Sequence, residues 1–324
     1  MGDQCFPGVH PPFELSMLTT ILSGVIALMT IIGNGLIIIT VIKDPLKRLH
    51  TPFNYFLVNL AVADLIVGCS TMPVSVYFHY QESTGFIDLR VSKVLQSSIF
   101  ISGSASILSL LALSVDRYFC IVWAIRYRQC LNWNRCHIIT ACIWIFSLSF
   151  PFLSWKLGYV KYLMFFACSS VLVGIILMLF VYAKVHLYLQ NQTKQLRKRT
   201  TSKVDQTTNP RRLSMKRKVT QTFLIIMLAF VLVYVPAFVM IFTLQFCESC
   251  GCVFRHWLRD LQFLLVASNS AINPLICTAR LKQFRTSIKQ LFTGKRARNS
   301  ASKAGLTNLA SRQMSNETTT TSNM

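Results

Sequence analysis

Seven stretches of this 324-residue chain are apolar over enough length to cross a lipid layer: approximately 17–42, 53–78, 94–120, 137–155, 160–187, 219–245 and 258–279. The hydrocarbon core of a bilayer is about 30 Å thick and takes roughly 20 helical residues. Inside it every backbone N–H and C=O must be bonded within the protein, so spans of this kind are helices. The expected fold is all-α, a seven-transmembrane helix bundle. The composition agrees, being 53% hydrophobic and only 14% charged, a balance rare in water-soluble domains.

Charge sets the orientation. If the N-terminus lies outside, the outer segments hold only Arg90, Lys93, Lys156, Lys161, Arg255 and Arg259, and all the other lysines and arginines among the 33 face inward. That asymmetry is what the positive-inside rule produces. A net charge of +22 therefore reflects cytoplasmic segments rather than nucleic-acid binding, because the basic residues do not interleave with aromatics on a soluble surface. The expected location is the plasma membrane, multi-pass, with the N-terminus extracellular. The opening MGDQCFPGVHPPFELS has no basic n-region, so it does not read as a cleavable signal peptide.

Three divisions follow: an extracellular segment 1–16, a seven-span domain 17–292 that includes a short eighth helix, and a disordered cytoplasmic tail 293–324. The eighth helix is expected in LKQFRTSIKQLF, where Leu281, Phe284, Ile288 and Leu291 recur at helical spacing with basic residues between them; such a helix lies on the inner membrane surface. Outward-facing Cys5, Cys247, Cys250 and Cys252 sit on the oxidising side, where disulfides form. Their pairing stays open, since four cysteines allow three full pairings.

Ionisable and polar groups at membrane depth are costly and point to function. Asp64 lies midway along span two, Asn34 in span one, Ser106 in span three, and Asn269, Ser270 and Asn273 in span seven. Oxygens from three helices could surround Asp64 and hold an allosteric sodium ion; a helix-packing network without an ion reads equally well. No other cofactor is expected. Pro73, Pro151, Pro236 and Pro274 each interrupt a span and permit a kink. At the inner end of span three, Asp116 precedes Arg117 and Tyr118. That arginine can pair with its neighbour or release and reach across the bundle.

These residues form an ordered set: GN in span one, LAVAD in span two, DRY after span three, Trp144 in span four, Tyr182 in span five, FxxxYxP ending in Tyr234 and Pro236 in span six, and NPLIC from Asn273 and Pro274 in span seven. The set resembles the rhodopsin-like G-protein-coupled receptors over residues 17–292. Within that family it is similar to the melanocortin-type group: DRYFCIVWAIRY, a very short second outer loop, Ser92 where a loop cysteine usually stands, and a cysteine-rich third outer loop. Adenosine, cannabinoid and lysolipid receptors are relatives. There are departures. Val74, Ser92 and Gln96 stand where melanocortin receptors carry acids, Ile99 replaces the amine-binding aspartate, span seven lacks lysine, Tyr234 replaces a tryptophan, and Cys277 replaces a tyrosine.

The resemblance implies a receptor for an extracellular ligand that activates heterotrimeric G proteins, with stimulation of adenylyl cyclase favoured by analogy alone. Arrestin, receptor kinases and membrane lipid are the other expected partners, and nucleic acid is not one. Family position places Gln96, Ile99, Phe100, Phe166, Phe238, Ile241, Arg259 and Phe263 around a mostly apolar pocket, with His79 adding polarity. This suits a neutral, anionic or lipidic ligand rather than a monoamine. Phosphorylation is expected at Ser214 in RRLS and at Thr318, Thr319, Thr320, Thr321 and Ser322. A non-signalling receptor-like scaffold is the alternative, kept alive by Tyr234 and Cys277. A transporter would show internal repeats, and none is visible. No nucleophile with a base, paired acids or phosphate loop is present, so the chain does not read as an enzyme.

Overall fold

The computed structural model describes residues 10–44, 49, 51–86, 88–122, 132–157, 159–200, 210–247 and 249–293. Eight helical runs follow one another, with no strand among the described residues. They are α1 (Phe13–Lys43); α2 (Pro52–Ile66, a π turn Val67–Thr71, then Met72–Ser83); α3 (Leu89–Val122); α4 (Trp133–Leu157); α5 (Tyr159–Phe166, a π turn Ala167–Leu172, then Val173–Thr200); α6 (Pro210–Phe246); α7 (Cys252–Arg280); and α8 (Lys282–Thr293). Six of them, α1, α2, α3, α5, α6 and α7, contain segments long and apolar enough to cross a membrane. The helix α4 contains the expected fourth span.

Each helix packs on the next, and α7 closes the ring against α1 and α2. Helix α3 is central, touching α2, α4, α5 and α6. The amphipathic α8 packs on α1 and α7, seating Leu281 and Phe284 in the core. The helices run beyond the hydropathy boundaries: α1 begins at Phe13 and α2 ends at Ser83 rather than 78. Hydropathy marks the hydrocarbon layer, whereas the hydrogen-bonded helix continues through the headgroups.

The π turn in α2 has a covalent cause nearby. Pro73 has no N–H and its ring crowds the carbonyl four residues back. The chain accommodates this by widening the preceding turn, where the Met72 N–H donates to the Val67 carbonyl five residues back. One extra residue in a turn shifts the phase of everything beyond it by about 100°. The outer half of α2 thereby turns Ser75, His79 and Glu82 inward, where all three are buried.

Helix α1 is inverted relative to a helix in water. Its buried positions include Ser16, Thr19, Ser23, Thr30, Asn34 and Thr40, while Leu28 and Ile32 on its other side are exposed. Lipid accepts the apolar side, and the polar side can be satisfied only by other helices. Gly33 lets α1 approach α7 closely: a Cβ there would lie 2.6 Å from Cγ of Pro274. The proline ring cannot swing aside, so Gly33→Val is expected to destabilise the receptor by about 1–3 kcal/mol through overpacking. Gly24→Ala, with nothing within 4 Å of the added atom, is expected to melt like the parent. Thiol-reactive melting curves in detergent measure both.

Candidate functional site

Polar side chains gather at three depths. At the inner end, Arg117 and Asp116 are buried. The Arg117 Nε donates to Asp116 Oδ2 at 2.8 Å, and Nη2 of the same guanidinium donates to that oxygen as well. The guanidinium also lies over the Phe53 ring of α2, 4.3 Å from its centroid, a cation–π contact. In this state the arginine is held by its own neighbour and by α2. Tyr118 lies edge-on to Phe119, and Tyr182 stacks on His186 at 5.7 Å.

At mid-depth, Asn59 joins three helices. Its Nδ2 donates to Ser109 Oγ of α3 at 2.8 Å, and its Oδ1 accepts from Trp144 Nε1 of α4 at 3.0 Å. One turn further along α2, Asp64 is fully enclosed. It accepts hydrogen bonds from Asn273 Nδ2 at 2.9 Å and Ser106 Oγ at 3.3 Å. Asn34 Nδ2 caps the Ser270 carbonyl at 3.0 Å. The Oδ1 atoms of Asn269 and Asn273 are buried with no hydrogen-bond partner among the described residues. Of the expected sodium set, the structure brings Ser106 and Asn273 onto the Asp64 carboxylate. The donors are all oxygens, two of them unpartnered, which fits a hard cation. Beside this layer Tyr234 stacks on Phe230 at 4.1 Å, and Cys277 is buried in the main apolar core.

At the outer end a charged cluster ties α1, α2 and α7. Arg259 of α7 forms a two-pronged pair with Glu82 of α2, both bonds at 2.8 Å, and its Nε donates to Asp260 at 2.7 Å. His79 Nδ1 lies 2.9 Å from Glu82 Oε2 and 3.8 Å from Asp260 Oδ2. Thr19 of α1 donates to Asp260 at 3.0 Å, and Ser16 reaches Glu82 at 3.4 Å. Glu82 and Asp260 were not among the residues singled out from sequence. Glu82 lies past the hydropathy end of span two, and Asp260 stands at a span end, where charges are ordinary. The signal that could have found them is His79-x-x-Glu82, an i, i+3 pair on one helix face.

The expected pocket residues divide. Phe100, Tyr162 and Phe166 form an aromatic cluster between α3 and α5, with centroids 4.4 and 5.4 Å from Phe100. Phe238 lies 4.6 Å from Phe242 along α6, and Ile241 is buried beside them in sequence. Phe263 lies 6.2 Å from His79. Gln96 bonds to Ser92 on its own helix, and Ile99 is half-buried. Arg259 is engaged by two carboxylates, so its charge is not free for an anion. Beyond α6, Cys247 and Cys250 form a disulfide and Cys252 is disulfide-bonded. Pro236 and Pro274 lie inside α6 and α7. Cys5 and the threonine cluster from Thr318 to Ser322 lie outside the described residues, as does the side chain of Ser214.

A bundle of membrane-crossing helices with a buried DRY pair and a polar mid-layer defines a class: a multi-pass membrane receptor, not an enzyme. The family 7 transmembrane receptor (rhodopsin family) matches residues 33–157 and 150–276; the chain belongs to this family of G-protein-coupled receptors. It is 29% identical over 280 residues to melanocortin receptor 5 of Mus musculus, covering 82% of this chain and 81% of that one. It is 27% identical over 291 residues to melanocortin receptor 4 of Danio rerio, with 86% and 85% covered. Adenosine receptor A2a of Homo sapiens is 28% identical over 301 residues, with 82% and 70% covered.

Removing one member of a buried ion pair strands the other and costs about 3–5 kcal/mol. Glu82→Ala is therefore expected to lower the melting temperature sharply. Glu82→Ala with Arg259→Ala should lose less than the two single changes added together. Additive losses in the melting curves would show that the two side chains do not depend on each other.

Proposed function

We propose that this receptor resides in the plasma membrane with its N-terminus outside and activates heterotrimeric G proteins, with adenylyl cyclase stimulation as its output. The observation that carries the reading is the buried Asp116–Arg117 pair resting on Phe53. It sits at the inner end of α3 and has two arrangements open to it: closed on its neighbour, or extended into the space a partner would enter. A scaffold that never signals has no use for a charged pair buried at that face. Nucleotide exchange on purified Gs, Gi and Gq, with the receptor in lipid nanodiscs, tests this. Exchange above the receptor-free rate is expected with Gs, and none with any of the three would favour the scaffold.

The ligand we infer is neutral and amphipathic or lipidic. The aromatic cluster of Phe100 and Phe166 and the half-buried Ile99 and Phe238 offer apolar contact. Ile99 supplies no counter-charge for an amine, and Arg259 is neutralised by Glu82 and Asp260. Arrestin and receptor kinases would act on Ser214 and on the Thr318 to Ser322 cluster, where added phosphates supply negative charge for a basic partner surface. Asp64, Ser106, Asn269, Ser270 and Asn273 would hold sodium in the state with Arg117 closed. Asp64→Asn is expected to abolish the effect of sodium on agonist affinity in radioligand or sensor titrations. An unmodified receptor indifferent to sodium would reduce the layer to packing.

Resting activity follows from charge. Lys216, Arg217 and Lys218 begin the inner part of α6, where an acid would be needed to hold Arg117 across the bundle. A partly exposed ion pair is worth about 0–1 kcal/mol; lacking about 1 kcal/mol raises an active population from roughly 1% to roughly 5%. Cys277, in place of a tyrosine, works against that gain. The charge effect is expected to prevail modestly. Lys216→Glu should lower ligand-free cyclic-nucleotide production at equal surface expression, and unchanged or higher output would exclude a missing lock as its source.

A further inference from the structure

The outer cluster sets two carboxylates and an imidazole around a single arginine, and His79, Glu82 and Asp260 are all buried. His79 Nδ1 faces Glu82 Oε2 at 2.9 Å, so a ring nitrogen and a carboxylate oxygen converge in one enclosed space. Metal ligands bind in their deprotonated forms, so an imidazole nitrogen between two buried carboxylates is a place where a small cation can replace a proton.

The geometry specifies which cation. His79 Nδ1 and one oxygen each from Glu82 and Asp260 lie within 4.8 Å of one another, the one such group of His, Cys, Asp and Glu side chains among the described residues. Zinc binds nitrogen and oxygen at about 2.0–2.2 Å in a tetrahedron, which sets its ligand atoms about 3.3–3.6 Å apart. The Nδ1 distances to the two oxygens, 2.9 and 3.8 Å, bracket that spacing. A histidine among three ligands disfavours calcium and magnesium, which take oxygen. Thr19 already donates to Asp260 at 3.0 Å and Ser16 approaches Glu82, so the carboxylates have the supporting hydrogen bonds a metal site needs.

Arg259 is the competitor. Its guanidinium now does for the two carboxylates what a divalent ion would do. It also has a way out, because its side chain is 22% exposed while Glu82 is fully covered. We propose that His79, Glu82 and Asp260 form an extracellular zinc-class metal site, and that metal binding displaces Arg259 from the carboxylates toward the outer water. With the metal in place the two carboxylates and the dication balance, and the freed guanidinium adds one positive charge at the mouth of the bundle. The links among α1, α2 and α7 then run through the metal rather than through Arg259.

The test is direct binding to the full chain, purified, washed with chelator and placed in nanodiscs of phosphatidylcholine. Zinc is titrated in competition with a fluorescent zinc indicator, and bound metal is counted by mass spectrometry. The unmodified receptor is expected to show a saturable site that His79→Ala removes. Arg259→Gln, which deletes the competitor and keeps all three ligands, is expected to bind zinc about tenfold tighter and to gain more thermal stability from zinc than the parent does. This second variant guards against the first failing merely because it misfolds, since misfolding does not tighten a site. Equal zinc binding in the parent and His79→Ala, or no tightening in Arg259→Gln, would overturn the proposal. The assay needs no signalling, so it stands whatever the nucleotide-exchange result.

Discussion

In a lipid solvent the buried polar groups decide which way each helix faces. Apolar side chains are as comfortable against acyl chains as against one another, so burial of leucine on one side gives a helix no direction. A buried asparagine or carboxylate does, because its partners can come only from protein. Asn34, Asn59, Asp64 and Asn273 therefore fix the rotations of α1, α2, α3, α4 and α7 through bonds of 2.8–3.3 Å to one another's helices. Single interhelical hydrogen bonds contribute about 0.6 kcal/mol on average. Their value here lies in specifying one arrangement rather than in total stability.

Helix α2 takes part at all three depths. Its Phe53 supports Arg117, its Asn59 and Asp64 hold the middle, and its Ser75, His79 and Glu82 close the outer end. The π turn before Pro73 makes the last group possible, since a straight helix would carry it round by about 100° toward other neighbours. Helix α7 answers with Asn273 and Arg259. Helices α2 and α7 are thus joined at two levels, by Asn273 on Asp64 in the middle and by Arg259 on Glu82 at the outer end.

The helical spans, the eighth helix and the polar mid-layer were all readable from residue types, because each depends on membrane physics acting over twenty residues or on a motif of fixed spacing. That Ser106 and Asn273 bond to Asp64 agrees with the expectation that oxygens of neighbouring helices surround a carboxylate at membrane depth. What stayed hidden depended on rotation and on helix ends. Glu82 could not be placed, because hydropathy ends span two at 78 and says nothing of the helix continuing to Ser83. Arg259 was visible as a charge, but its partners were not, since its pairing with Glu82 joins residues 177 positions apart. The π turns have no hydropathy signal, and the packing of Phe100 on Phe166 needs the mutual rotation of α3 and α5.

The outer cluster also bears on a covalent tie that the chain cannot make. Ser92 stands near the outer end of α3, where the resemblance places a cysteine that would staple a loop to that helix. The Cys247–Cys250 disulfide closes a loop of only four residues, and neither it nor the bonded Cys252 belongs to α3. Near that end Thr71 Oγ1 meets Ser98 Oγ at 2.6 Å and Ser102 Oγ at 3.5 Å, and above them Gln96 bonds to Ser92 of its own helix. The two sides of this end of the bundle are therefore held differently. On one side α1, α2 and α7 are locked by desolvated charges; on the other, α3 and α5 meet through the rings of Phe100, Tyr162 and Phe166. Aromatic contacts slide and repack at small cost, whereas breaking a buried ion pair costs several kcal/mol. At this end of the bundle the seam between α3 and α5 is therefore the softer contact and the charged side the stiffer one.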